Sequence, residues 1–196
     1  MRLRIRHVIF VSLMSLSIWQ LFEAGYIHAK AWIAQQLIQV AWEDTVTSTD
    51  AQQPWPWADT QAVARLTAQD GTVDLVVLSG TSGRTLAFGP GHMSGTAQPG
   101  SFGNVVVSGH RDTHFSFLKH LGVGDQLTLQ ATNGNTKVYE VIGTEVVHQN
   151  NVAVAMDAGD DRITLITCYP FDAPIPGGPM RYVVVARSIS TQYLEI

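Results

Sequence analysis

A mainly β domain, closed or nearly closed into a barrel and preceded by a membrane-anchoring helix, is the fold class that this 196-residue sequence predicts. Three observations predict it. From Val73 onward, short runs rich in β-branched residues alternate with Gly, Asn, Asp and Pro clusters. Asn133-Gly134 sits between two of those runs as a tight hairpin signal. At the start, Arg2, Arg4 and Arg6 precede an apolar run from Val8 to Phe22.

The N-terminal run has fifteen residues, interrupted only by Ser12, Ser15, Ser17 and Gln20. At about 1.5 Å per residue such a helix spans roughly 22 Å, short of the ~30 Å hydrocarbon core. Continuation through Gly25, Tyr26 and Ile27 lengthens it past Glu23. A cleaved signal peptide would use the small-x-small triplet Ala29-Lys30-Ala31. Ala31, Ala34, Leu37, Ile38 and Ala41 recur at helical spacing, however, so that triplet reads as the start of a second helix, and the anchor is the favoured reading. Either export route puts the domain on the trans side of a membrane. Trp32 and Trp42 flank the second helix, as interface anchors or as packing on the domain. Residues 43–57, ending in Pro54-Trp55-Pro56-Trp57, read as a linker stiffened by proline, with the tryptophans docked on the domain. The expected organisation is therefore a signal anchor over 1–28, a helix and Pro/Trp linker over 29–57, and a catalytic barrel over 58–196.

Strands are expected at 73–78, 84–88, 104–108, 126–131, 136–147, 162–167 and 181–187. Only 60–68 and 113–121 read as helical; Thr113 is placed to cap the second, with Phe115, Phe117, Leu118 and Leu121 turned inward. Seven or eight short strands in so few residues point to a barrel.

Composition narrows the function. Charged residues are 14% and apolar ones 45%, which excludes disordered and coiled-coil classes. A net charge of −4 argues against nucleic acid bound by phosphate neutralisation. The single cysteine excludes an intrachain disulfide and every metal site built on several thiolates. That cysteine ends the strand Ile163-Thr164-Leu165-Ile166-Thr167-Cys168. His110 follows the strand Asn104–Ser108, and Arg181 opens the strand after the loop that leaves Cys168. If these strands are neighbours, the three side chains meet at one rim. The trio suits acyl transfer: a thiol needs a partner that takes its proton, histidine can return that proton to a leaving amine, and a guanidinium can stabilise an oxyanion. On spacing alone, a buried packing thiol and a solvated arginine are the commoner explanation of Cys168 and Arg181.

Leu165-Ile166-Thr167-Cys168 resembles the thiol signature of the sortases, the cysteine transpeptidases of bacterial surfaces. The resemblance runs from about Val73 to Arg187 and includes Phe88-Gly89-Pro90-Gly91-His92 and Gly95-Thr96-Ala97-Gln98-Pro99-Gly100. Gly109-His110-Arg111-Asp112-Thr113 and Cys168-Tyr169-Pro170-Phe171 are similar to the Gram-negative, marine proteobacterial type. The resemblance implies an eight-stranded sortase-type β-barrel. It implies attack of the Cys168 thiolate on an LPXTG-like sorting signal near the C-terminus of an exported protein. A thioacyl enzyme would form and an amine acceptor would resolve it. His110 would be the acid/base and Arg181 the carbonyl or oxyanion ligand. Thr167, the Tyr169 backbone N–H and His92 are candidate substrate contacts, with a strand residue facing a neighbour the equal alternative for Thr167 and a loop histidine bound to backbone the alternative for His92. Neither a cofactor nor a metal is implied, and the expected location is the inner (cytoplasmic) membrane, single-pass, with the domain on the periplasmic side.

Other groups read more plainly. Asp112 is a candidate to orient His110 as a third triad member, with a helix cap or solvent contact the plainer reading, and Arg111 reads as a surface charge. His114, His120 and His148 lack metal-ligand spacing. Asp157, Asp160 and Asp161 around Gly159 fit a turn as well as a calcium contact. Two rival functions remain at this point. An L,D-transpeptidase or cell-wall cysteine peptidase is disfavoured because no arginine closely follows Cys168. A sortase-shaped binding module is disfavoured by the retention of all three chemical residues.

Overall fold

The computed structural model describes residues 2–48, 52–68, 71–175 and 177–189. Pro176 of the expected cysteine loop, residues 49–51 of the expected linker and residues 190–196 of the expected barrel lie outside them. The chain divides after Leu37. One helix, α1, is assigned over Arg2–Thr47 and accounts for the described residues of the first unit. Ala29-Lys30-Ala31 is thus inside a helix, and the two expected helices are continuous. The first unit presents Phe10, Leu16, Trp19 and Phe22 as exposed apolar side chains. From Ile5 the helix is long and apolar enough to cross a membrane.

The second unit is the expected mainly β barrel. Its elements are β1 (Ala62–Ala68), β2 (Val73–Ser79), α2 (Gly83–Leu86), β3 (Gly91–His92), β4 (Asn104–Ser108), β5 (Gln126–Ala131), β6 (Thr136–His148), β7 (Arg162–Tyr169) and β8 (Met180–Ser188). They close in the order β1-β2-β3-β4-β7-β8-β6-β5. β1 pairs with β5 to seal the barrel, and β4 lies parallel to β7. Closure removes every free sheet edge between these strands. Leu66, Phe115, Leu118, Leu127, Leu129, Tyr139, Ile163 and Leu165 fill the interior.

Three expected elements are overturned. Residues 60–68 form β1 and not a helix. Alanine and leucine favour helix locally, but Ala64, Leu66 and Ala68 alternate inward between two partner strands, while Ala62, before a register shift, packs in the outer cluster with Ile38 and Leu78. Arg65 on the outer face pairs with Asp74 of β2 at 2.6 Å, so tertiary pairing decides the conformation. The expected strand 84–88 is mostly the short helix α2. Ser82 starts it by accepting a hydrogen bond from the Thr85 N–H at 3.1 Å. The second expected helix contracts to a 3-10 turn over Ser116–His120, with no side-chain cap from Thr113.

The β5–β6 hairpin forms where expected, with a different turn. The Gly134 N–H donates to Ala131 O at 3.0 Å, which makes Thr132 and Asn133 the central residues. Gly134 follows at φ +83°, as in a three-residue connection with a bulge. In the linker, Trp55 packs on Phe88 with ring centroids 5.0 Å apart, whereas Trp57 is 83% exposed. Trp42 is buried in the same cluster as Trp55, and Trp32 is exposed.

Candidate active site

Cys168 lies inside β7, one residue before its end, directly opposite Arg181 of β8. Opposed residues of an antiparallel pair project from the same face. Both side chains accordingly line one cavity of about 240 Å³, with Thr167, Gly109, Thr81 and Leu86. Cys168 is partly exposed there as a free thiol.

The parallel pairing of β4 with β7 supplies the third group. Ser108 aligns with Ile166 at the end of the ladder. Beyond it the Gly109 N–H donates to Ile166 O at 3.1 Å, and the Thr167 hydroxyl donates to Gly109 O at 2.7 Å. The backbone that carries His110 therefore runs beside Thr167 and Cys168. The Phe115 N–H donates to His110 O at 2.9 Å and closes the turn. The imidazole is exposed and is not part of the lining of the cavity.

Arg181 is held by its own neighbourhood. Nη1 donates to Gly178 O at 2.8 Å and to Met180 O at 2.9 Å, and Nη2 donates to Gln149 Oε1 at 2.9 Å. The planar fork is thus oriented before any ligand arrives. Arg181, Ser108 and Ile166 also border a second, mainly apolar cavity of about 220 Å³ whose far wall includes Val152 and Val154. That wall is a 3-10 turn, Val152–Ala155. Buried Asn104 ties it down by donating from Nδ2 to Val154 O (3.1 Å) and Met156 O (3.0 Å).

The remaining sequence candidates fall elsewhere. Thr167 is 2% exposed, with its hydroxyl engaged by Gly109. His92 is buried in β3, its Nε2 within 2.9 Å of Ala97 O and 3.2 Å of Thr96 Oγ1, and it borders neither cavity. The Tyr169 ring stacks on Tyr182 at 6.2 Å, and Phe171 meets Tyr182 edge-on at 5.2 Å. This aromatic trio supports the loop that leaves Cys168. Asp160 accepts from Arg162 and Arg187, and Asp161 from Lys137, so both carboxylates have cationic partners already. The Arg162 hydrogen bond, foremost, holds the Asp160 carboxyl below its ordinary value.

Arg111 corrects the sequence reading. It is 6% exposed and not a surface charge. Its Nη1 donates to Pro170 O and its Nη2 to Ala173 O at 2.7 Å. No sequence pattern signals this, because both acceptors are backbone carbonyls of a distant loop. His114 is also close to the site: burial, and then the charge of His110, hold its imidazole below the ordinary histidine value.

A thiol and a guanidinium on one cavity wall, with an imidazole on the adjoining loop, have the parts for acyl transfer through a thioester. Comparison with known proteins supplies the family and the fold. Residues 66–189 match the family model of the sortase domain. The chain is 31% identical over 118 residues to sortase D of Bacillus subtilis (strain 168), a match covering 60% of this chain and 59% of that protein. Its fold is that of a Clostridium perfringens sortase D5 transpeptidase, with a TM-score of 0.66 at 21% identity, covering 81% of this chain and 99% of that one. Sortase A from Corynebacterium diphtheriae aligns with a TM-score of 0.60 at 28% identity, over 71% of this chain and 66% of that one.

Proposed function

The chain belongs to the sortase family, and on that premise we propose that it is a membrane-tethered cysteine transpeptidase for exported proteins. The Cys168 thiolate attacks the backbone carbonyl of an LPXTG-like sorting signal. A bond forms between Sγ and the carbonyl carbon, and the scissile C–N bond breaks. His110 takes the thiol proton and gives it to the departing amine. An incoming amine then attacks the thioester, forming a new amide and releasing the thiol. Arg181 holds the reacting carbonyl and the oxyanion that develops on it, and the Tyr169 N–H is a second donor.

The observation that carries this reading is the cross-strand opposition of Cys168 and Arg181 on one cavity wall. The adjoining apolar cavity is suited to the aliphatic and proline side chains of such a signal. His92 is assigned to holding its loop and not to substrate. The apolar N-terminal helix supports single-pass anchoring in the cytoplasmic membrane, with the barrel on the periplasmic side. The motifs around His110 and Cys168 support the Gram-negative, marine proteobacterial type.

The test is a transfer assay on the full chain, with a dye-labelled LPXTG-type peptide library and a small primary amine. Mass spectrometry should find peptide fragments as thioesters on Cys168, and Cys168→Ala should fold and yield neither thioester nor product. Product formation by Cys168→Ala, or adducts at other residues only, would remove the thiol from the mechanism.

A further inference from the structure

Arg111 is a buried cation for which the reaction just described has no use. Its Nε lies 3.2 Å from Asp112 Oδ1, but that carboxylate is 65% exposed and belongs to the adjacent residue. The other contacts are two neutral carbonyls, Pro170 O and Ala173 O, which are 59 and 62 residues away in sequence. Burying a guanidinium is costly unless its hydrogen bonds are well formed. A charge serving only solubility would stay in water.

The placement gives the cost a purpose. Arg111 immediately follows His110, and Pro170 lies two residues after Cys168. On the other side of the pair, Thr167 immediately precedes Cys168 and bonds the carbonyl of Gly109, which immediately precedes His110. The two links bracket the imidazole and the thiol from before and after. Pro170 and Ala173 also form one turn, with the Ala173 N–H directed at Pro170 O at 3.4 Å. The rigid fork of Arg111 spans both carbonyls of that turn, a geometry that a single ammonium does not reproduce.

We propose that Arg111 is a positioning residue that locks the His110 turn onto the loop leaving Cys168, keeping imidazole and thiol in working register. The inference rests on the transpeptidase reading for its kinetic consequence. It has a second consequence independent of substrate: in this reading His110 is the base that takes the thiol proton, so displacing its turn slows alkylation of Cys168.

The test uses the full chain in detergent. Arg111→Met should lower kcat by about tenfold or more while KM stays within about twofold, since geometry at the reacting atoms is lost and binding is not. Arg111→Lys should fall between it and the wild type. Iodoacetamide labelling of Cys168, followed by intact mass, should slow by about threefold or more in Arg111→Met. Unchanged kcat and unchanged labelling in a folded Arg111→Met variant would overturn the proposal. If that variant does not fold, Arg111→Lys decides: wild-type kcat and labelling in it overturn the proposal, and a loss of both supports it. If the wild type turns over no peptide, the transpeptidase reading fails, and the labelling comparison alone still decides whether Arg111 positions the pair.

Discussion

The Thr167 hydroxyl donates to the Gly109 carbonyl at 2.7 Å, so the residue before Cys168 is fastened to the residue before His110. The bond joins two strands of different origin, β4 and β7, just where their ladder ends at Ser108 and Ile166. It extends the parallel pairing by a side chain after the backbone has stopped supplying it.

Thr167→Val keeps the shape and removes the donor. Thr167 is 2% exposed, so water can replace the hydroxyl only from the cavity side. A buried carbonyl left without a donor costs about 1–3 kcal/mol. The expected result is a loss of stability in that range in urea unfolding, with a lowered kcat. Thr167→Ser retains the donor and should keep most of the activity. Equal behaviour of the valine and serine variants would show that the hydroxyl fastens nothing.

Gly109 has a second constraint. A Cβ placed on it would come within 2.8 Å of the Phe115 ring. Phe115 is fully buried and packs edge-on against Phe117 at 5.9 Å, so the ring has no space to retreat. Gly109→Ala should therefore push the His110 turn outward, at about 1–3 kcal/mol for the overpacked site. Thermal unfolding and peptide turnover measure the two effects together. An alanine variant with wild-type Tm and turnover would mean that the turn moves freely.

How much of this is legible in the sequence depends on what each feature is made of. β4, β7 and β8 show themselves because Val105-Val106-Val107, Ile163 to Ile166 and Val183-Val184-Val185 are β-branched or aliphatic runs bounded by turn residues. The facing of Cys168 and Arg181 is legible because each sits at the end of such a run, on strands that pair. β1 is hidden because small alanines face inward, and alanine by itself argues for helix. β3 has two residues, Gly91 and His92, too few for any period. Arg111 is hidden for another reason: its partners are carbonyls, which every residue has, and only the tertiary fold selects Pro170 and Ala173.

Asn104 belongs to the same hidden class and yields a prediction about binding. Its Nδ2 reaches the carbonyls of Val154 and Met156, while its Oδ1 accepts from the Thr164 hydroxyl at 2.8 Å. Asn104 is buried at the base of the turn that walls the apolar cavity, its bond to Thr164 fully enclosed and the two bonds to the turn partly so. Asn104→Asp replaces the donor with an oxygen facing two carbonyl oxygens. The variant should lose about 2 kcal/mol or more of stability. On the proposed reading of the apolar cavity as the groove for the sorting signal, its peptide KM should rise more than its kcat falls. A variant in which kcat alone fell would place Asn104 in support of the chemistry and not of the groove.

His114 gives the pH prediction, with a sign that follows from two causes. Burial disfavours its charged form, and the charge of nearby His110 adds to the effect, so the folded imidazole binds its proton at lower pH than the unfolded one. Between those two values the unfolded state holds more protons, and stability rises with pH. The contribution of neutral His114 is thus complete above the unfolded value of about 6.5 and is lost as pH falls through the folded value. His114→Gln should flatten the stability profile on the acid side of that point. In NMR titrations His114 should have its midpoint below about 6.5, and His110→Gln should move that midpoint upward without fully restoring it, because burial remains. A His114 midpoint unmoved by His110→Gln would show that the two imidazoles do not face each other, and would displace the His110 turn from the position argued for it.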